Sequence, residues 1–279
     1  MGCSDRSFEG VLLACDLDGT LLSPDGTLHP DNVASLREFL AAGGRFVVAT
    51  GRTQASVTRN VPTLPADLPG IFCNGAHVYD RVARRTVIAH ELPASAQGMI
   101  RDILDRFPSV GLEIFTDKGA HLVRSCDVLR LQLASEDLQY IEADPEGIPG
   151  PWLKILLGGE PDELAPIRAH LERFCSEDWE FVASDAYLLD LMAAGVSKGA
   201  ALRELQALLE RDGARFRTVA VGDNDNDVDM LRVADFGIAP ENATQGARAA
   251  AGFVVPHHAE PVLPGVFRIL RDELWKNTK

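Results

Sequence analysis

Short apolar runs alternate with amphipathic, helix-forming stretches at both ends of the chain. Val11-Leu12-Leu13-Ala14-Cys15 is the first run, and apolar segments at 45–50 and 71–73 follow it, with helical spacing near 31–42 and again from about 53. Apolar strands separated by helices are the pattern of a parallel sheet covered on both faces. The alternation returns near the other end, where the helical stretch Ala200 to Leu209 precedes a strand, Thr218-Val219-Ala220-Val221. Between these blocks the pattern changes. Strands are predicted near 86–90, 110–116, 120–123, 152–158, 179–183 and 187–191, and helices near 94–107, 126–137 and 161–175. Strand pairs follow one another directly at Asp117-Lys118-Gly119 and at Ser184-Asp185, which suits antiparallel hairpins. Only 34 residues separate Asp16 from Thr50, room for one helix and one strand, whereas 146 separate Arg52 from Lys198, far more than a crossover needs. The expected organisation is a core of residues 1–83 and 192–279 with an inserted α+β domain at 84–191. Pro145 to Pro151, rich in proline and glycine, then reads as a loop of the insertion.

Four polar segments stand where apolar runs end. Asp16-Leu17-Asp18-Gly19-Thr20 closes the first run, and a period of two along a strand predicts both carboxylates on one side. Such a pair repels itself unless a divalent cation lies between the acids or one of them holds a proton. Thr50-Gly51-Arg52 follows Val47-Val48-Ala49 at a strand-to-helix junction, where unpaired N–H groups favour an anion. Lys198 precedes a helix, at the end the macrodipole disfavours for a cation, which points to an anionic partner. Downstream, Gly222-Asp223-Asn224-Asp225-Asn226-Asp227-Val228-Asp229-Met230 holds four aspartates. An EF-hand calcium loop fails here, because Val228 stands where that loop needs glycine and Ala234 where it needs the closing glutamate.

In this order the four segments resemble the motifs of the haloacid dehalogenase superfamily of phosphohydrolases. Thr50-Gly51-Arg52, Asn74-Gly75-Ala76, Gly195-Val196-Ser197-Lys198-Gly199 and the spacing from Gly222-Asp223 to Asn226-Asp227 and Met230 are similar to its Cof-type group with a C2B cap. The resemblance implies an α/β fold, a Rossmann-like parallel core with an inserted α+β C2B cap, and an Mg²⁺-dependent phosphatase. By the same resemblance Asp16 is the nucleophile that forms an aspartyl-phosphate, and Asp18 the general acid and base, with a pKa raised by its acidic neighbours. Asp16, the backbone carbonyl of Asp18, Asp223 and Asp227 are the implied metal ligands. Thr50, Gly51, Lys198 and Asn226 are the implied phosphate-holding groups, while Asp225 and Asp229 read as helix-start and surface acids. Two segments depart from the group's pattern: Ala239-Pro240-Glu241-Asn242-Ala243, where a Met-Gly pair usually precedes Asn, and Pro256 to Pro264, which lacks the usual turn.

Composition narrows the partners. A net charge of −14 excludes a general nucleic-acid binder, and no apolar run reaches the roughly 18–20 residues of a membrane span. Residues 81–189 carry 11 Lys and Arg against 19 Asp and Glu, which favours a monophosphate on a neutral or polyol body over a multiply phosphorylated one. The expected substrates are small phosphomonoesters, sugar phosphates foremost. Met1 to Arg6 lacks the apolar core of a signal peptide, and the five cysteines (3, 15, 73, 126 and 175) contain no C-x-x-C pair. Together these predict a cytoplasmic protein, a monomer or homodimer, with Cys15 and Cys73 as core residues. His257-His258 reads as a loop. A phosphomutase or phosphotransferase on the same core, or a phosphate-binding regulatory protein, is the alternative. Retention of Asp16, Asp18, Thr50, Lys198 and Asp223 together speaks against the pure binder.

Overall fold

The computed structural model describes residues 8–65, 67–135, 139–173, 177–183, 186–211 and 213–275. The turn expected at Ser184-Asp185, the first six residues, and Cys3 and Cys175 lie outside the described residues, as do the ends of the helices expected at 126–137 and 161–175. In chain order the elements are β1 (Val11–Cys15), α1 (Pro30–Ala41), β2 (Arg45–Val48), α2 (Gln54–Asn60), β3 (Gly70–Phe72), β4 (His77–Asp80) and β5 (Arg85–Ala89). There follow α3 (Ala94–Arg106), β6 (Gly111–Thr116), β7 (Gly119–Arg124), α4 (Asp127–Ser135), β8 (Tyr140–Glu142), β9 (Trp152–Gly158), α5 (Pro161–Leu171), β10 (Trp179–Ala183) and β11 (Leu188–Ala193). The last are α6 (Lys198–Leu209), β12 (Arg217–Val221), α7 (Val228–Val233), β13 (Phe236–Pro240), α8 (Gln245–Ala250), β14 (Phe253–Val255) and α9 (Leu263–Trp275).

The order β14-β13-β12-β1-β2 makes a five-stranded, all-parallel sheet. β1 is buried along its whole length because alternate residues face two helical layers. Val11 and Leu13 pack with Leu36, Phe39 and Phe267 of α1 and α9, whereas Leu12 and Ala14 pack with Leu202, Leu205 and Met230 of α6 and α7. Phe39 stacks on Phe267 at 4.8 Å between ring centroids and Phe8 lies 5.1 Å from Phe39, contacts worth about 0.5–1.5 kcal/mol each beyond burial. From β1 the sheet grows in two directions, to β2 on one side and to β12 on the other. That reversal is where ligands bind in open α/β sheets, outside the carboxyl ends of the strands.

The second sheet, ordered β10-β11-β9-β6-β7-β8, is antiparallel except between β7 and β8. One face carries Ile114, Ile155, Leu189 and Leu191 against Ile100 and Ile103 of α3 and Leu164 and Ile167 of α5. The opposite face carries Phe115, Lys154, Leu156 and Asp190, and meets the carboxyl end of the parallel sheet. This is the α/β core with an α+β insertion that the pattern predicts.

Two details differ. Residues 71–73 were expected to extend the parallel sheet, but β3 touches it through a single Ala49–Ile71 bridge and otherwise pairs antiparallel with β4. The segment expected to open the insertion, β5, pairs with β4 as well, so the chain leaves for the six-stranded sheet only after Ala89. The cause is a tight turn held by Asp80, whose Oδ1 accepts from the amides of Val82 and Ala83, with Arg84 at a positive φ of 52°.

Candidate active site

Strand register brings the four polar segments together. Cys15 lies opposite Val221 and Val48, so the residues after β1, β12 and β2 leave the sheet side by side. Asp16 is 4% exposed and its amide donates to the Val221 carbonyl at 2.9 Å. Lys198 arrives from α6, whose start is fixed by Ser197: its Oγ accepts from the Ala200 amide at 3.0 Å and donates to Asp229 Oδ2 at 2.5 Å. The Lys198 ammonium then lies 2.7 Å from Asp16 Oδ1 and 2.7 Å from Asp227 Oδ1, sealed from solvent. This explains a cation at the disfavoured end of a helix. Two buried carboxylates outweigh the dipole.

Asp227 is fully engaged by the chain, since its Oδ2 accepts from the amides of Asp223 and Asn224 at 3.0 and 3.1 Å. Thr20 Oγ1 donates to Asp223 Oδ1 at 2.7 Å. Asp16, Asp223 and Asp227 each offer an oxygen within 4.8 Å of the others. A set of hard, closely spaced carboxylate oxygens fits a divalent cation such as Mg²⁺. Burial pushes the Asp16 carboxyl well above its usual range, Lys198 pulls it back, and Asp227 and Asp223 push it up further. Asp223 is pushed up to about 6, chiefly by burial and against the Thr20 hydrogen bond. Burial opposes the charge on Lys198, yet Asp16 and Asp227 hold its pKa above the ordinary value. One lysine therefore does not neutralise the cluster, and a bound cation would relieve what repulsion remains.

Asp18 departs from expectation. β1 ends at Cys15, but Asp16 and Asp18 keep extended backbone before Gly19 turns the chain at a φ of 74°, and both acids face one cavity. The Asp18 carboxylate turns to Arg52, which donates from Nε to Oδ2 at 2.8 Å and from Nη2 to Oδ1 at 2.6 Å. The neighbour of Asp18 is thus a guanidinium and not the carboxylate cluster. Thr50 is buried and its Oγ1 accepts from the Arg52 amide at 3.1 Å, while Asn226 Nδ2 donates to Asn74 Oδ1 at 3.0 Å. Asp225 Oδ1 accepts from Thr244 Oγ1, a tie to α8, so Asp225 and Asp229 both anchor the surrounding frame.

Asp16, Asp18, Gly51, Lys198 and Asn226 line one cavity of about 250 Å³. Its other wall was not foreseen from the sequence. Lys154 and Asp190, 5% and 1% exposed, form an ion pair of 3.0 Å there, and Gln132 of α4 adjoins them. The available signal was a lone charge in an otherwise apolar strand, as in Trp152-Leu153-Lys154-Ile155-Leu156 and Leu188-Leu189-Asp190-Leu191. The two segments that depart from the family pattern support the Asp16 turn from behind. Asn242 Nδ2 donates to the Gly19 carbonyl at 2.7 Å and its Oδ1 accepts from the His258 amide, while His258 Nδ1 bonds the Leu22 carbonyl at 2.9 Å. Cys15, Cys73 and Cys126 form no disulfide.

A parallel sheet with an inserted cap and an acid–lysine cluster at its carboxyl edge marks a phosphohydrolase. Residues 13–268 match the haloacid dehalogenase-like hydrolase family, and the chain belongs to it, in the Cof type. It is similar to the pyridoxal phosphate phosphatase YbhA of Escherichia coli, 28% identical over 263 residues that cover 88% of this chain and 92% of that protein. The 5-amino-6-(5-phospho-D-ribitylamino)uracil phosphatase YbjI of the same bacterium is 27% identical over 267 residues, covering 94% of this chain and 97% of the other. Among solved structures, SMU.1108c from Streptococcus mutans shares the fold with a TM-score of 0.80 at 23% identity, over 93% of this chain and 98% of that one. Among the described residues, no helix is long and apolar enough to cross a membrane.

Proposed function

We propose that the chain is an Mg²⁺-dependent phosphatase of small phosphomonoesters, sugar phosphates foremost, working through an aspartyl-phosphate on Asp16. The observation that carries this reading is the buried contact of Asp16 with Lys198 beside Asp223 and Asp227, a nucleophile held among a countercharge and metal ligands. An Asp16 oxygen attacks phosphorus in line, the ester P–O bond breaks, and Asp18 gives its proton to the departing oxygen. Water then attacks the aspartyl-phosphate as Asp18 takes a proton from it, which frees inorganic phosphate and restores both acids. Asp18 must leave the Arg52 fork to do this. Thr50, the Gly51 amide, Lys198 and Asn226 hold the phosphoryl oxygens. Asp16, Asp223 and the Asp18 carbonyl would hold Mg²⁺, with Asp227 as direct or water-mediated support while it also binds Lys198 and the loop amides. When bound, the ion polarises a phosphoryl oxygen and neutralises charge.

The pairing of β5 with β4 and the membership of β11 in the six-stranded sheet support a cap of residues 90–193, starting six residues later and ending two residues later than the expected 84–191. Two relatives are named for small phosphomonoesters, pyridoxal phosphate and a phosphoribitylamino uracil. A cavity of about 250 Å³ is also below the roughly 300–1,000 Å³ of sites for drug-sized ligands. The test is phosphate release from a panel of phosphomonoesters in Mg²⁺, by the native chain and by Asp16→Asn. The variant should keep its fold and lose activity by roughly three orders of magnitude or more. Substantial residual turnover would refute the covalent route.

A further inference from the structure

We propose that the Lys154–Asp190 pair on the cap reads hydroxyl groups on the leaving half of the substrate. The two side chains project from neighbouring strands: Asp190 lies opposite Leu156 across the β9–β11 ladder, and Lys154 is two residues along β9 on the same face. Both line the cavity that Asp16 and Lys198 line from the core, and Leu156 and Leu188 flank them. A buried ion pair is weak support for a fold, because desolvating two charges offsets most of their attraction. Its place on the cavity wall calls for a use there.

The chemistry of the pair defines that use. An ammonium donates only and a carboxylate accepts only, so side by side they match neighbouring hydroxyls, one accepting from Lys154 and another donating to Asp190. Their charges sum to zero. A second phosphate on the substrate would meet Asp190 with no surplus cation to offset it, and a plain aryl group would leave both charges without a substrate partner. Core contacts hold the pair in position: Asn74 Nδ2 donates to Asp190 Oδ2 at 2.6 Å and Lys154 Nζ donates to the Gly51 carbonyl at 3.4 Å, while within the cap sheet Lys154 Nζ lies 4.8 Å from the Phe115 ring centroid. Because Asn74 also accepts from Asn226, and Gly51 belongs to the phosphate loop, the hydroxyl reader shares its supports with the phosphate-holding groups. The substrate is then a polyol or sugar carrying a single phosphate, and the leaving group is the free polyol.

This rests on the phosphatase reading, so the assay includes phenyl phosphate, an ester without hydroxyls. In the native enzyme, kcat/KM is compared for glucose 6-phosphate, ribitol 5-phosphate, their monodeoxy analogues and phenyl phosphate. Loss of a hydroxyl that the pair reads should lower kcat/KM by roughly 10²-fold or more, since a site built around a hydroxyl rejects the analogue that lacks it. In Lys154→Gln and Asp190→Asn the preference for polyol over phenyl phosphate should fall at least tenfold, carried mainly by KM. The deoxy series needs no variant, so it decides the matter even where a substitution unfolds the cap. A flat deoxy series, or equal losses for both ester classes in folded variants, would show the pair to be a bridge between cap and core and overturn the assignment alone. Failure to cleave any ester would overturn the phosphatase reading and this one with it.

Discussion

Lys198→Met removes a cation in contact with two buried carboxylates while keeping the length of the side chain. Asp16 and Asp227 are 4% and 0% exposed and each lies 2.7 Å from the ammonium, so both lose their counter-charge without access to water. Breaking a buried pair in this way costs about 3–5 kcal/mol. At about 2–4 °C per kcal/mol for a chain of this size, Tm should fall by roughly 6–20 °C. The fall should be largest in excess chelator and smaller in millimolar Mg²⁺, because a cation bound to the folded state alone stabilises it by mass action. Thermal melts with and without chelator read both numbers. A second substitution, Asp227→Asn, should recover part of the loss, since the amide oxygen can still accept from the Asp223 and Asn224 amides while one buried charge is gone. An unchanged Tm in chelator would show that Lys198 is not the counter-charge of the cluster. Loss of turnover without loss of stability would confine its role to the substrate.

Acidity supplies a second prediction. Asp223 is pushed up to about 6 in the folded chain, above the unfolded value, so the fold holds the extra proton and this group's contribution to stability falls as pH rises from about 4 to 6. Mg²⁺ should therefore raise Tm more at pH 7.5 than at pH 5, and equal shifts would contradict the coupling. A third prediction concerns Gly19, where an added Cβ would lie 2.3 Å from Asp223 Oδ2 at a φ of 74°. Gly19→Ala should raise the Mg²⁺ concentration for half-maximal activity by at least about tenfold, as a displaced ligand requires, and an unchanged metal titration would show that Asp223 does not bind it.

Much of the site was legible in the sequence because its parts stand at strand ends, and register alone brings strand ends together. Asp16, Thr50 and Asp223 stand just past strand ends, whereas Lys198 opens α6 and shows in the sequence as a cation at the disfavoured end of a helix. The partner of Asp18 was not legible, since Arg52 lies 34 residues away. Strands β8 and β14 are not legible for a different reason: at three residues each they are too short to show a period and, unlike β3, they are not buried throughout. β4 was hidden by its neighbour Asn74-Gly75, which reads as a turn and is one, with Asn74 at a φ of 54°. Lys154 and Asp190 were visible as lone charges in apolar strands, but only the antiparallel pairing of β9 with β11 shows that they meet. The sequence shows the segments at Ala239 to Ala243 and Pro256 to Pro264 only as departures from the group's pattern, with no hint of what Asn242 and His258 touch. They prove to be struts beneath the Asp16 turn.

The wide sequence gaps across the central sheet have a consequence for how the chain tolerates change. Lys198 meets Asp16 across 182 residues and Thr20 meets Asp223 across 203, so the whole insertion is, to the core, one closed loop. At its entry the loop is pinned to the core, by the His90 amide on the Ala76 carbonyl at 2.9 Å and by His90 Nε2 against Glu204 Oε2 at 3.1 Å. The entropy of closing such a loop grows only with the logarithm of its length, by about 0.6 kcal/mol for each doubling. Against the 5–15 kcal/mol of a typical folded domain that is a minor charge. A cap half or twice as long would cost the parallel sheet almost nothing, which leaves the insertion free to be reshaped around new leaving groups while the chemistry beneath it stays put.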